Sequence, residues 1–309
     1  GCDITRCSCP DEASARALKE ITKAVDIPVV ADIHFDYRLG LLAADNGAAC
    51  LRINPGNIGG ADRVKEVVKA AKANGCSIRI GVNGGSLDKR LLEKYGEPTA
   101  DAMVESALEQ AKMLEDNDFF EFKISVKSSN TLMMIDAYRK LAAACDYPLH
   151  LGVTEAGGLR AGTVRSAIGI GSLLMSGIGD TLRVSLTADP AEEVTVAWEI
   201  LRALGLRRRG PEIISCPTCG RTEIDLFGLA RAVEDALAES TADIKVAVMG
   251  CVVNGPGEAR EADLGVAGGR DKGIIFRKGE VIRSVKGQDA LLAAFMEELQ
   301  RLLKEKETH

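Results

Sequence analysis

No stretch of this 309-residue chain approaches the ~18–20 consecutive apolar residues of a membrane span. The opening GCDITRCSCP lacks the basic-then-apolar layout of a signal peptide. A membrane protein is therefore not expected, and the expected location is the cytoplasm. Net positive charge is missing too: Lys and Arg total 39 against 45 Asp and Glu, and the formal charge of −6 gives no overall drive toward nucleic acid or an anionic surface. Any basic site must be local. Aromatic residues are scarce at 4%, yet 46% of the residues are hydrophobic and 27% charged, the composition of an ordinary globular chain with a full core. Low-complexity segments are absent. The nine cysteines are an odd number, and in a compartment that keeps thiols reduced they read as apolar fillers, metal ligands or reactive groups rather than a disulfide framework.

What is present begins with a rhythm. Over the first two-thirds a short β-rich run, a loop with Gly, Asn or Asp, and a helical stretch follow one another. The runs are residues 3–7, 29–33, 50–54, 77–83, 122–127, 149–154 and 181–186. Seven parallel strands with alternating helices are one short of a (β/α)8 TIM-type barrel, the expected α/β fold, with its first βα unit missing from this chain. A doubly wound sheet is the rival, and it lacks a G-x-G-x-x-G after an early strand. At RRRGP, residues 207–211, the composition changes to a basic connector. The expected domains are a barrel over 1–206 and a small α/β module over 211–309. The module holds the CPTCG turn, a helix with Leu226, Leu229, Val233 and Leu237 on one face, a strand at 245–250, a hairpin at 273–285 and a closing helix from 289.

Side chains alternate faces along a strand, so each run sorts into two sets. One set is Ile33, Ile53, Ile78, Ile80, Val82, Ile124, Val126, Val184 and Leu186, suited to the helix layer. The other is Asp32, His34, Arg52, Asn54, Arg79, Asn83, Lys123, Ser125, Lys127, Arg183 and Ser185. It faces the lumen, where a structural barrel carries Val, Ile and Leu. Five converging cations repel one another unless a multiply charged anion is bound, and Arg forks suit phosphate oxygens. The expected ligand is a phosphate or diphosphate ester. The rival is an internal network with Asp32 and Glu155. Glu155 follows the run 149–154 at the C-terminal rim, where a carboxyl can act as general acid or merely stabilise a helix N-terminus.

Cys216 and Cys219 lie three apart on the CPTCG turn, and GCVVNGPGE, residues 250–258, adds Cys251 and the oxygen of Glu258. A zinc ribbon needs a second pair of ligands, which is absent. By spacing alone an iron–sulfur cluster and zinc stand level, with a redox dithiol behind them. Cys7 and Cys9 form a C-x-C, but with Cys2, Cys50, Cys76 and Cys145 they read as buried apolar residues.

The blocks VADIHFDYR, CLRINPGNIG, IRIGVNGGSL, YGEPT, FKISVK, HLGVTEAGG, IGDTLRVSL, CPTCGR and GCVVNGPGE cover nearly the whole chain. Together they resemble the 4-hydroxy-3-methylbut-2-enyl diphosphate synthase family of isoprenoid biosynthesis. The resemblance implies a [4Fe–4S] cluster on Cys216, Cys219, Cys251 and Glu258. It also implies reductive ring opening and dehydroxylation of 2-C-methyl-D-erythritol 2,4-cyclodiphosphate, with flavodoxin or ferredoxin as electron donor. Arg52, Arg79, Lys127, Arg183 and Ser185 would hold the diphosphate, joined in the mouth by Asn83, Asp32 and His34. Glu155 would deliver a proton, and Asn254 would approach from the cluster side. Two departures are Cys7 and Cys9, where apolar residues are usual in the family, and the missing first unit. Two rivals remain: a barrel transferase on a phosphorylated or pterin-like substrate with structural zinc, and a non-enzymatic metal scaffold. Following the last barrel helix away from the mouth predicts a head-to-tail homodimer with shared sites.

Overall fold

Seven strands, each followed by helix, build the first of two compact units, Gly1–Leu206 and Arg207–His309. The structure is a computed structural model that describes residues 1–252, 257, 259–270 and 272–307. The strands are β1 (Thr5–Ser8), β2 (Val29–Asp32), β3 (Cys50–Ile53), β4 (Ser77–Asn83), β5 (Phe122–Lys127), β6 (His150–Leu151) and β7 (Thr181–Leu182). Between and after them run α1 (Glu12–Ala24), α2 (Tyr37–Asp45), α3 (Gly60–Asn74), α4 (Lys89–Tyr95), α5 (Ala100–Glu115), α6 (Thr131–Ala144), α7 (Leu159–Leu174) and α8 (Pro190–Ala203). Helix starts are written into the sequence. Asp11, Asp36, Thr99, Asn130 and Asp189 each accept a backbone N–H of the first turn, and Pro190 follows Asp189 where no N–H is needed.

Strands β1 to β5 pair in parallel and in chain order. A single bridge, Ile124 to Leu149, carries the wall on to the parallel pair β6–β7. The ladder is thin there because a side chain has taken its place: the buried Tyr138 of α6 accepts from the Val126 N–H at 3.2 Å and donates to the His150 carbonyl. Among the described residues β1 and β7 do not pair, so the wall has the open edge expected of seven strands. Across that side Trp198 of α8 donates to the Gly1 carbonyl at 3.1 Å. The last two strands are shorter than the expected 149–154 and 181–186: pairing stops once the Arg183 N–H has met the Leu151 carbonyl at 3.0 Å, and the chain turns into the rim loop. Ile33, Ile53, Ile78, Ile80, Ile124 and Val126 are wholly buried in the core, on the face the alternation assigns to the helices.

The second unit is a mixed sheet in the order β12-β11-β10-β9-β8. Its strands are β8 (Glu212–Ser215), β9 (Lys245–Met249), β10 (Leu264–Ala267), β11 (Lys272–Arg277) and β12 (Glu280–Lys286), with α9 (Leu226–Leu237) and a closing helix α10 (Gln288–Glu307). Leu226, Leu229, Val233 and Leu237 of α9 and Leu291, Phe295 and Leu299 of α10 form one core with the sheet, each large side chain contributing roughly 2 kcal/mol by leaving water. Among the described residues no helix is long and apolar enough to cross a membrane.

Candidate active site

Register places Asp32 beside Arg52, Arg52 beside Arg79 and Arg79 beside Lys123, a row abreast across four strands. Further along, Gly81 pairs with Ser125 and Asn83 with Lys127. Like charges ~5 Å apart at an effective dielectric of ~20 repel by about 3 kcal/mol per pair, so this row needs counter-charge. Asp32 supplies some: its carboxylate takes Arg52 at 3.0 Å and Arg6 at 2.8 Å, with His34 at 3.4 Å. Arg6 is a site residue the sorting of faces missed, because β1 was not sorted; Ser8 pairs with Asp32, which puts Arg6 on the lumen face.

The remaining cations have no such partner. Among the described residues, Arg79, Lys123, Lys127 and Arg183 have no carboxylate at ion-pair distance, and Nε of both Arg79 and Arg183 is buried without a hydrogen bond. Burial, reinforced by Arg6 and Arg52, draws the Arg79 pKa down to about 10. Burial and then the guanidiniums of Arg183 and Arg79 hold Lys127 well below the usual lysine value. A self-satisfied network is therefore not what these residues form. A cavity of about 70 Å³ at the strand starts is lined by Arg6, Arg79, Lys123, His150, Thr181 and Arg183 beside the apolar Ile4, Val30 and Leu182. A larger cavity of about 370 Å³ in the second unit, at the N-terminal ends of β8, β9 and β10, has acids and bases of alternating sign, such as Glu212 with Lys245 at 3.4 Å. It offers no surplus charge to an anion.

Two glycines make room for the cations. A Cβ on Gly81 would stand 2.6 Å from Arg52 Nε, and one on Gly152 would stand 2.9 Å from Lys127 Nζ and 2.6 Å from the Arg183 carbonyl. The first clash is with a movable side chain, the second also with backbone. Gly81→Ala is expected to stay folded and raise the substrate KM ~10-fold by displacing Arg52. Gly152→Ala is expected to cost ~2–3 kcal/mol of stability. Steady-state kinetics beside denaturant titration separates the two, and the same outcome for both variants would contradict the difference in what each Cβ meets.

The other expected site residues fall as follows. Asn83 spends its side-chain oxygen on the Gly85 N–H at 3.2 Å, leaving its amide hydrogens free to face the mouth. Ser185 accepts from Arg183. His34 and Glu155 are exposed at the rim, and Glu155 has φ +53°, a left-handed conformation costing a non-glycine residue ~1–2 kcal/mol. Asn254 and Glu258 lie outside the described residues. His150 was not anticipated: it is buried, with Arg79 Nη1 2.9 Å from its Nε2.

In the second unit β8 and β9 run parallel with Ser215 beside Val248, so Cys216 and Cys251 follow neighbouring strand ends. The Gly250 N–H donates to Cys216 Sγ at 3.2 Å. Hydrogen bonds from the backbone and then the side chain of Arg221 lower the pKa of the exposed Cys219, as a thiolate ligand requires. Among the described residues no three Cys, His, Asp or Glu converge closely enough to hold an ion. The donor set of three free thiols at one end of the unit nonetheless fits a thiolate-held group. Cys9 and Cys76 are buried and their thiols pushed up to about 11, the chemistry of inert core residues.

A parallel βα wall with a cationic mouth, followed by a separate thiol-bearing unit, defines a TIM-barrel-like α/β protein with a second domain. Comparison with known families gives the GcpE TIM-barrel domain over residues 1–198 and the GcpE protein C-terminal domain over 212–301. The chain belongs to the GcpE family. A relative from Lawsonia intracellularis is 63% identical over 308 residues, covering 100% of this chain and 86% of that protein. One from Maridesulfovibrio salexigens is 63% identical over 306 residues, covering 99% and 86%, and one from Clostridium perfringens is 60% identical over 289, covering 94% and 83%. All three are named 4-hydroxy-3-methylbut-2-en-1-yl diphosphate synthase (flavodoxin).

Proposed function

We propose that this chain is an oxidoreductase of isoprenoid biosynthesis that carries out the reaction for which its relatives are named. It reduces 2-C-methyl-D-erythritol 2,4-cyclodiphosphate to 4-hydroxy-3-methylbut-2-enyl diphosphate. Two electrons and two protons enter, a ring C–O bond breaks to release one end of the diphosphate while the other end stays esterified, and a hydroxyl leaves as water. The observation that carries this is the mouth itself: six clustered cations, Arg6, Arg52, Arg79, Lys123, Lys127 and Arg183, with one carboxylate, Asp32, paired to two of them. A cyclic diphosphate supplies the missing negative charge, held by forked Arg donors with Ser185 and Asn83 beside them. Asp32 keeps Arg6 and Arg52 from repelling each other, and Glu155 at the rim gives a proton to the departing oxygen. Cys216, Cys219, Cys251 and Glu258 would hold a [4Fe–4S] cluster, which when bound supplies one-electron transfer. Asn254 is assigned to the cluster side of the substrate. Reduced flavodoxin is the donor this reading favours, with ferredoxin the alternative.

A head-to-tail homodimer belongs to the same proposal. Helix α8 leads the chain away from the mouth, and the five residues 207–211 span at most ~18 Å, so the thiol-bearing unit is assigned to the partner's mouth. Phe35, Leu132 and Leu159, exposed on loops and helix starts at the rim, suit a cover of that kind. The test is anaerobic turnover of the cyclic diphosphate with reduced flavodoxin, by the chain and by a mixture of its Glu155→Gln and Cys251→Ser variants under subunit exchange. Product from the unmodified chain and regained activity in the mixture are expected. No product from iron-loaded protein would overturn the function, and a dead mixture with exchange confirmed would overturn the shared site alone.

A further inference from the structure

His150 takes part in none of the steps above, yet it is clamped at three points. Its carbonyl accepts from Tyr138, its Nδ1 lies 2.9 Å from Thr181 Oγ1, and its Nε2 lies 2.9 Å from Arg79 Nη1. A guanidinium has donors and no acceptor, so Nε2 must accept. The ring proton then sits on Nδ1 and is donated to Thr181, and the imidazole is neutral. Burial first, then the Lys127 ammonium and the Arg79 guanidinium, keep the ring from taking a second proton.

The consequence for Arg79 is orientation. It stands in register between Arg52 and Lys123, which repel it from both sides. Among the described residues, the contact to His150 is the one hydrogen bond it makes, and its Nε–H remains unspent. A carboxylate in place of the imidazole would hold Arg79 equally well but cancel its charge. A neutral acceptor fixes the guanidinium plane and leaves the full positive charge to the ligand.

We propose that His150 is a positioning residue that aims Arg79 at the diphosphate without neutralising it. The inference rests on the reading that a diphosphate occupies this mouth. Three variants of the full, cluster-loaded chain test it. His150→Phe keeps a ring and removes the acceptor, His150→Gln returns an acceptor oxygen near the Nε2 position, and Thr181→Val removes the partner that sets the tautomer. The measurements are the Kd of inorganic pyrophosphate by calorimetry, and KM and kcat for the cyclic diphosphate. Losing a charged hydrogen bond is worth ~10–100-fold, so His150→Phe is expected to raise Kd and KM by that factor with kcat within about threefold. His150→Gln should recover most of the loss. A His150→Phe chain that binds pyrophosphate like the unmodified protein, or a His150→Gln chain as impaired as it, overturns the proposal. Should His150→Phe not fold, Thr181→Val decides: Kd raised ~3–10-fold supports the role, and an unchanged Kd overturns it. Pyrophosphate binding needs no turnover. A chain whose binding responds to these variants but which never converts the cyclic diphosphate would therefore refute the function and leave this inference standing.

Discussion

A Cys251→Ser chain, purified without oxygen, is expected to be colourless and inactive, while Cys145→Ser is expected to remain brown with about four irons per chain. The two cysteines differ in setting. Cys251 lies two residues beyond the end of β9, next to Gly250, whose N–H already points at Cys216 Sγ. A serine hydroxyl there does not ionise near neutral pH and offers iron no thiolate. Cys145 closes α6, its thiol directed at the Leu141 carbonyl 3.5 Å away and its pKa raised by burial. Iron, sulfide and zinc assayed together give the answer. Full iron and sulfide in Cys251→Ser, or zinc without sulfide in the unmodified chain, would remove the assigned ligand set.

Glu155→Gln is expected to lower kcat by ~10²–10⁴ while iron content is unchanged. The substitution keeps the shape of the side chain and deletes its proton. Glu155 stands where the chain leaves β6 at the rim, one residue before the buried Ala156, and holds φ at +53°. A residue with a Cβ in that conformation is strained, and such strain is found where a site demands a particular backbone path. Turnover near that of the unmodified enzyme would refute the general-acid role. A loss of iron in this variant would instead mean that the rim and the thiol-bearing unit depend on each other.

Arg52, Arg79, Lys123 and Lys127 were legible because each sits on a strand with alternating faces, as in Ile78-Arg79-Ile80, where a charge between two buried isoleucines has no structural excuse, while Arg183 continues the alternation just past the end of β7. His150 was not, since it lies between Leu149 and Leu151 like any polar interruption of an apolar strand, and its partner Arg79 is 71 residues away. Local spacing carries no trace of such a pair. Strands β8 and β10, four residues each, are likewise too short for a period to show, and they exist because β9 gives them a parallel neighbour. Tyr138 reads as one more apolar position of α6, and its work as a substitute rung between β5 and β6 appears only once both strands are in place.

The row of side-by-side guanidiniums also governs how the protein behaves in ordinary solution. If a diphosphate is held there as proposed, small multivalent anions are expected to compete for the mouth, so inorganic phosphate or sulfate in a buffer should act as a weak inhibitor and, by the same contacts, stabilise the empty barrel. Catalytic efficiency is then a property of the medium as well as of the chain.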